Sequence, residues 1–168
     1  METSPDLAFD IARFAVSLRY EDLPSDVVAA VKSNILDTLS CALAGSSAEG
    51  IAEVADLVYG WGGTPEASVF VLGGKVPAHH AAWLNSGMAH ARDYDDTHDA
   101  AILHAGVSTV PAAIAAAQLS GDHSGQDLIV AVAAGLEVMC RLGVAVEVDI
   151  IETGFIYSSL LAYFSATV

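Results

Sequence analysis

Apolar residues recur every three or four positions over most of the chain, which is the spacing of one face of an α-helix. The segment SPDLAFDIARFAVSLRY carries such a stripe and opens on Ser4 and Pro5, which favour a helix start. In the next segment, LPSDVVAAVKSNILDTLSCALAG, Pro24 lies in the first turn and Gly45 just past the expected end. A third helix is expected at about residues 51–59, before the helix-breaking sequence GWGG. The N-terminal half is therefore predicted to be helical.

The second half continues the helical pattern, and only EASVFVLGGK is typical of a short strand. Helices are expected from Pro77 to about Arg92 and from Pro111 to about Leu119. Ser124 and Asp127 are three residues apart and come directly before LIVAVAAGLEVMCRLGVAV. This spacing is typical of a capping box and predicts the start of a further helix. These patterns predict an all-α fold, with residues 1–168 forming a single alanine-rich helical domain.

The last segment, GFIYSSLLAYFSATV, is apolar and reaches Val168 without a glycine, a proline or a polar tail. We therefore expect the 168 residues to be the N-terminal part of a longer protein. An oligomer or a missing domain would then cover the apolar faces that remain exposed.

Charge and composition narrow the possible partners. Six basic against 21 acidic residues give a formal charge of −15, which disfavours nucleic acids and anionic membranes. The longest uncharged run, residues 100–121, is rich in alanine and interrupted by polar residues and a proline, so a buried helix suits it better than a membrane span. Cys41 and Cys140 lie within apolar helical patterns, as reduced core thiols do. The expected location is the cytoplasm.

One stretch, HARDYDDTHDAAILHAG, departs from this apolar background, because five of the six histidines fall within residues 79–104. His90, Asp93 and Thr97 are three and four positions apart, so they would share a face if the helix continued, with Asp96 beside them. Aspartates at such positions could fix the tautomer of an imidazole and raise its pKa, while a threonine supplies a hydroxyl group. That combination suits proton transfer beside a carboxylate substrate.

Two other interpretations of the stretch stay open. Asp95, Asp96 and Asp99 could form a solvated loop of an acidic protein, much as His123 is expected to be an ordinary loop histidine. Alternatively, Asp95, Asp96, His98 and His104 are side chains of the types that bind metals. Their spacing matches neither an H-E-x-x-H pair nor an EF-hand loop, so no metal site is predicted.

Several segments together resemble the N-terminal helical domain of the MmgE/PrpD family. They are NILDTLSCALAG, AAWLNSGMAHARDYDDTH, the His-Ala-Gly before VPAAIAAAQLSG, SGQDLIVAVAAGLEVMCRLG and TGFIYSS. The resemblance runs in unbroken order from about Pro24 to Val168, and the D-x-D-D-T element is its specific part. The family includes 2-methylcitrate dehydratase, cis-aconitate decarboxylase and iminodisuccinate epimerase.

This resemblance implies an all-α, alanine-rich helical domain that carries part of an active site, and a second, α+β lid domain further along the chain. The 168 residues are expected to lack that lid, which would then come from further chain or from a partner chain. It also implies a homodimer and a lyase or isomerase that moves a proton alpha to a carboxylate of a small polycarboxylate, without metal or organic cofactor. By the resemblance, Asp93 orients the site, Thr97 hydrogen-bonds the substrate and His104 transfers the proton. Asp96 and His98 are predicted to bind substrate.

The chain departs from the family pattern in two places. Where members carry a histidine in G-F-H-P-T, this chain has Ile156 and Tyr157, so that histidine is absent or its role falls to Tyr157. The family's later lysines are also absent, which leaves Lys32, Lys75 and Arg92 as the obvious cations for a polycarboxylate. The alternative to an enzyme part is therefore a non-catalytic helical dimerisation module derived from the same family.

Overall fold

A computed structural model describes residues 6–148 and 150–168, and in this part of the chain seven α-helices carry the fold. They are α1 (Leu7–Ser17), α2 (Ser25–Gly45), α3 (Ile51–Trp61), α4 (Ala78–His90), α5 (Gly106–Ser120), α6 (Gly125–Ala145) and α7 (Tyr157–Ser165). A single 3-10 turn, Tyr20–Asp22, precedes α2, and two-residue strands β1 (Ala67–Ser68) and β2 (Lys75–Val76) follow α3. The predicted helical fold class is confirmed.

Two of the seven described helices, α1 and α6, begin with a side-chain cap. Ser124 Oγ accepts from the Asp127 amide at 3.2 Å, and Asp127 Oδ2 accepts from the Ser124 amide at 2.8 Å, so the capping box predicted for α6 is confirmed. At α1, Asp6 Oδ1 accepts from the Ala8 amide at 3.0 Å. The start signals predicted at Ser4 and Pro5 lie outside the described residues.

Helix α4 lies at the centre of the core, packed between α2 and α5 and crossed by α3. Its Leu84 and Met88 are fully buried. Gly45 was expected just past the end of α2, but it is the last helical residue and touches α4. A Cβ at this position would overlap the carbonyl oxygen of Met88, so the close approach of the two helices requires glycine.

The single predicted strand is instead a small antiparallel hairpin, with Ala67 paired to Val76 and Ser68 to Lys75. The residues between them turn, because the Gly73 amide donates to the Val69 carbonyl at 3.2 Å. Buried Asn85 of α4 holds the hairpin by accepting from the Phe70 amide at 2.8 Å and donating to the Ser68 carbonyl at 3.0 Å.

By length and composition alone, α2 and α6 could each cross a membrane, a property that core helices share. Helix α6 is a core helix, since its Val132 and Met139 are fully buried. Several large apolar side chains nevertheless remain at the surface of the described residues, among them Leu36 and Leu43 on α2 and Tyr163 and Phe164 on α7.

Helix α5 begins at Gly106, five residues before the predicted start at Pro111, which is buried inside it. The polar stretch between α4 and α5, residues 91–105, is called the connecting loop below. Two hydrogen bonds fold its residues 98–103 into a turn. The His98 amide donates to the Leu103 carbonyl at 2.8 Å, and the Ala101 amide donates to His98 Nδ1 at 3.2 Å.

Candidate functional site

The carboxylate of Asp95 lies at the centre of the polar cluster, and its side chain has no exposed surface. His90 Nδ1 at the end of α4 lies 3.0 Å from Asp95 Oδ1 and 3.1 Å from Oδ2. His104 Nδ1, at the end of the connecting loop, lies 3.0 Å from Asp95 Oδ2. One buried carboxylate is therefore shared by two imidazoles that come from different elements. The interpretation of Asp95 as part of a solvated loop was wrong, because the loop folds back between α4 and α5.

The two imidazole contacts are not equivalent. His90 is hydrogen-bonded to Asp95, whereas His104 Nδ1 is within ion-pair distance but is not aligned as a hydrogen bond. Among the described residues this buried nitrogen has no hydrogen-bond partner. The two rings meet edge to face, with centroids 4.9 Å apart and planes at 62°.

Electrostatics couple His90 to Asp95. The hydrogen bond to Asp95 raises the pKa of His90, and the charges of Asp95 and Asp93 add to it against the opposing effect of burial. Burial by itself would raise the pKa of Asp95, but the hydrogen bond and charge of His90 lower it on balance. Both shifts therefore favour the pair of a protonated imidazole and an ionised carboxylate. This is the effect predicted from the sequence, but it comes mainly from Asp95, to which Asp93 adds its charge.

Asp93 reaches the same cluster from the solvent side. Its Oδ1 lies 3.7 Å from His104 Nε2, and its side chain is 78% exposed. The condition for a shared helical face of Asp93 and Thr97 is not met, because α4 ends at His90 and Asp93 adopts a left-handed conformation with φ of 56°. Asp93 meets His104 through the turn of the loop and not along a helical face.

Asp96 points away from His104, toward the start of α5. Its Oδ1 accepts from the Gly106 amide at 2.9 Å, which holds the connecting loop against the helix. Burial raises the pKa of Asp96 despite the hydrogen bonds from the Gly106 and Ala105 amides, and the charges of Asp95 and Asp37 raise it further. The structure thus gives Asp96 a structural bond, and its binding of substrate stays a prediction.

Thr97 and His98 are also separate from the pair of imidazoles. Thr97 is exposed on the connecting loop. His98 is half-buried and borders a shallow groove that Cys140 and Arg141 of α6 also line. Burial raises the pKa of the Cys140 thiol to about 11, so this cysteine is a protonated packing residue at neutral pH.

Ser158, at the start of α7, reaches the cluster from 54 residues away. Its buried hydroxyl accepts from the His104 amide at 2.8 Å, which fixes the backbone that carries the imidazole. Tyr157, considered as a substitute for the family's histidine, donates its hydroxyl to the Val148 carbonyl at 3.2 Å. Ser158 lies in the motif TGFIYSS, which carries part of the family resemblance, but its contact with the His104 amide could not be predicted from local spacing.

The arrangement is suited to moving protons. A half-buried imidazole, His104, sits against two carboxylates and a second imidazole, and its Nε2 faces the exposed side of the cluster at Asp93. Such a group can remove a proton from a bound molecule or return one to it. The predicted loop role of His123 agrees with its position, since it is exposed and its Nε2 lies 2.9 Å from Ser120 Oγ.

Comparison with known proteins agrees with the resemblance read from the motifs. The chain is 30% identical over 153 residues to a cis-aconitate decarboxylase-like protein of Aspergillus oryzae, covering 87% of this chain and 32% of that protein. It is also 30% identical over 151 residues to cis-aconitate decarboxylase of Aspergillus terreus, covering 87% of this chain and 31% of that protein. The chain thus spans about a third of the length of these curated relatives. The family model of the MmgE/PrpD N-terminal domain matches residues 9–168, and the chain belongs to the MmgE/PrpD family.

Proposed function

We propose that the chain carries the proton-transfer part of a lyase that acts on a small polycarboxylate, with His104 as the group that moves the proton. The observation that carries the proposal is the Asp95 carboxylate, which is buried and contacts both His90 and His104 at 3.0 Å. A buried carboxylate beside an imidazole helps to orient the ring for proton transfer. Membership of a family with decarboxylase-like relatives supports the reaction class.

In this proposal, His104 exchanges a proton with the carbon alpha to a substrate carboxylate. Asp93 lies 3.7 Å from His104 Nε2 and orients that nitrogen from the solvent side, while Thr97 hydrogen-bonds the substrate. His98 contributes to substrate binding from the middle of the connecting loop. The reaction would be a decarboxylation, a dehydration or an epimerisation, of which decarboxylation of cis-aconitate is the first to test because of the relatives' names.

The remaining parts of such an enzyme would come from outside these residues. A substrate with two or three carboxylates needs cations, but the cluster itself holds acidic residues and imidazoles. We propose that a lid domain or partner chain supplies them, that the protein works as a homodimer in the cytoplasm, and that it needs no organic cofactor or metal.

The test is the full-length enzyme with His104→Ala, assayed with cis-aconitate and 2-methylcitrate by NMR. Loss of a general acid–base group is expected to lower kcat by about 10²- to 10⁴-fold while the helical circular dichroism is unchanged. His123→Ala is the matched control, because that histidine is exposed between α5 and α6 and should leave kcat unchanged. Equal small effects of the two substitutions would contradict the assignment of His104.

One observation favours a second candidate, a non-catalytic dimerisation module. Large apolar side chains on α1, α2 and α7 remain at the surface, including Phe9, Leu36 and Tyr163. A module of this kind would dimerise with the cluster substituted. Two results together would favour it: the unsubstituted full-length protein turns over neither substrate, and dimerisation survives His104→Ala.

A further inference from the structure

We infer that His90, Asp93, Asp95 and His104 form a binding site for one divalent transition-metal ion of the zinc type. The ion would act as an inhibitor that occupies the proton-transfer site and not as a cofactor, so the cofactor-free reaction proposed above is unchanged. The binding itself does not depend on that reaction. Only the inhibitory consequence rests on the proposed function.

The side chains are of the types that zinc prefers, two imidazoles and two carboxylates. Taking one ligand atom from each residue, all four atoms lie within 4.8 Å of one another. Ligand atoms of a tetrahedral zinc ion, with bonds of about 2.1 Å, lie roughly 3.4 Å apart. Two of the measured spacings, 3.0 Å from His104 Nδ1 to Asp95 Oδ2 and 3.1 Å from His90 Nδ1 to the same oxygen, are already close to this value. Closing a spacing of 4.8 Å to this value requires a shift of roughly 1.4 Å.

Asp93 is the residue able to make that shift. Its side chain is 78% exposed and extends from a loop turn, so a rotation about its side-chain bonds moves the carboxylate without disturbing the core. The buried Asp95 carboxylate, by contrast, is fixed between the two imidazoles. A rigid inner ligand and an adjustable outer ligand together let an ion enter from solvent.

His104 supplies a second, independent indication. Its Nδ1 is buried and, within the described ranges 6–148 and 150–168, makes no hydrogen bond. A buried polar atom without a partner is uncommon in proteins and points to a missing ligand, water or ion. Coordination of an ion by an imidazole nitrogen is one way to satisfy it.

The charge of the cluster fits a dication. When the imidazoles are neutral, the carboxylates of Asp93 and Asp95 carry the only charges among the four residues, and an ion of charge +2 would neutralise them. The surroundings reinforce the attraction, because Asp96 lies near enough to Asp95 for their charges to interact and the whole chain carries −15. Metal binding here would relieve the repulsion between two neighbouring carboxylates.

The sequence did not predict this site because ligand spacing along the chain matches no known metal motif. His90 ends α4, Asp93 and Asp95 lie in the connecting loop, and His104 precedes α5. Only the fold brings the four together.

The experiment titrates the chelator-treated 168-residue chain with zinc sulfate. Binding is measured by isothermal titration calorimetry and by equilibrium dialysis. We expect one ion per chain, and at least tenfold weaker binding for both Asp93→Asn and His104→Gln. Cobalt(II) is the spectroscopic probe, and its bound spectrum should lack the thiolate charge-transfer band, since Cys41 and Cys140 are not ligands. Circular dichroism of each variant verifies that the fold is retained.

Asp99→Asn and His123→Gln are matched controls, because each removes the same chemical group from an exposed position outside the cluster. Both should bind zinc as the parent chain does. Absence of saturable binding would overturn the inference. Unchanged binding in both cluster variants would do the same, and so would loss of binding when His79 and His80 are substituted in place of the cluster residues. The full-length enzyme separates the two proposals: zinc binding without any turnover contradicts only the proposed function, and turnover insensitive to bound zinc contradicts only the inhibitory role.

Discussion

Asp95→Asn tests whether the shared carboxylate holds the candidate site together. The substitution keeps the size and shape of a side chain that has no exposed surface, so it leaves no cavity. It removes the negative charge and places an amide opposite the imidazoles of His90 and His104. The effect on stability therefore reports mainly on the charged hydrogen bond.

The expected loss follows from the contacts of that carboxylate. A hydrogen bond between ionised groups contributes about 1.5–3 kcal/mol to stability. The ring of His90 is 45% exposed, so solvent screening places its bond at the low end of this range. The contact with His104 adds little, because it is not aligned as a hydrogen bond. We expect the free energy of unfolding to fall by about 1.5–2 kcal/mol near pH 5.5.

The loss should depend on pH, with a sign set by the two pKa shifts. The pKa of His90 is raised above 6.5, so its contribution is complete below that value and disappears as pH rises through the folded-state pKa. The pKa of Asp95 is lowered below 3.8, so its contribution is complete above that value and disappears as pH falls through the folded-state pKa. The pair therefore stabilises the fold most between about pH 4 and pH 6.5.

Urea unfolding, followed by circular dichroism at about pH 5.5 and about pH 9, measures this difference. Asp95→Asn should cost clearly less at the higher pH, because the contribution of His90 is lost as pH rises through its folded-state pKa. Asp99→Asn is the control, because Asp99 is exposed and its substitution should cost almost nothing at either pH. A loss for Asp95→Asn that is the same at both pH values would refute the charged pair.

Much of the helical framework could be predicted from the sequence, because its signals are local. The capping box at Ser124 and Asp127 and the apolar period of α2 each depend on residues a few positions apart. The start of α5 was missed for the opposite reason. Gly106 is a weak helix former, and its amide is capped by Asp96, ten residues earlier in a folded loop.

The composition of the candidate site was also visible in the sequence, but its geometry was not. The excess of histidines and aspartates marked the correct stretch, whereas extrapolating the helix beyond His90 put Asp93 and Thr97 on a common face. Burial of Asp95 depends on how α4, the connecting loop and α5 meet, which no local pattern encodes. The contact of Ser158 with the His104 amide spans 54 residues and is equally beyond local reasoning.

Two further substitutions test how the connecting loop and His104 are held. Gly106→Ala would place a Cβ 2.8 Å from Asn34 Oδ1 and closer still to Asp96 Oδ1, so it should destabilise the fold by about 1–3 kcal/mol in urea unfolding. Gly125→Ala, which meets open space at the start of α6, should be neutral or slightly stabilising, and equal losses would exclude crowding as the cause. Ser158→Ala removes the acceptor 2.8 Å from the His104 amide and leaves that donor unpaired in a partly buried position, a loss of about 1–2 kcal/mol. Because the bond is to the backbone of His104, the amide resonance of that residue should shift in a nitrogen–proton NMR spectrum, whereas exposed Ser159→Ala should leave it in place. An unmoved His104 amide in Ser158→Ala would mean that α7 does not position the imidazole.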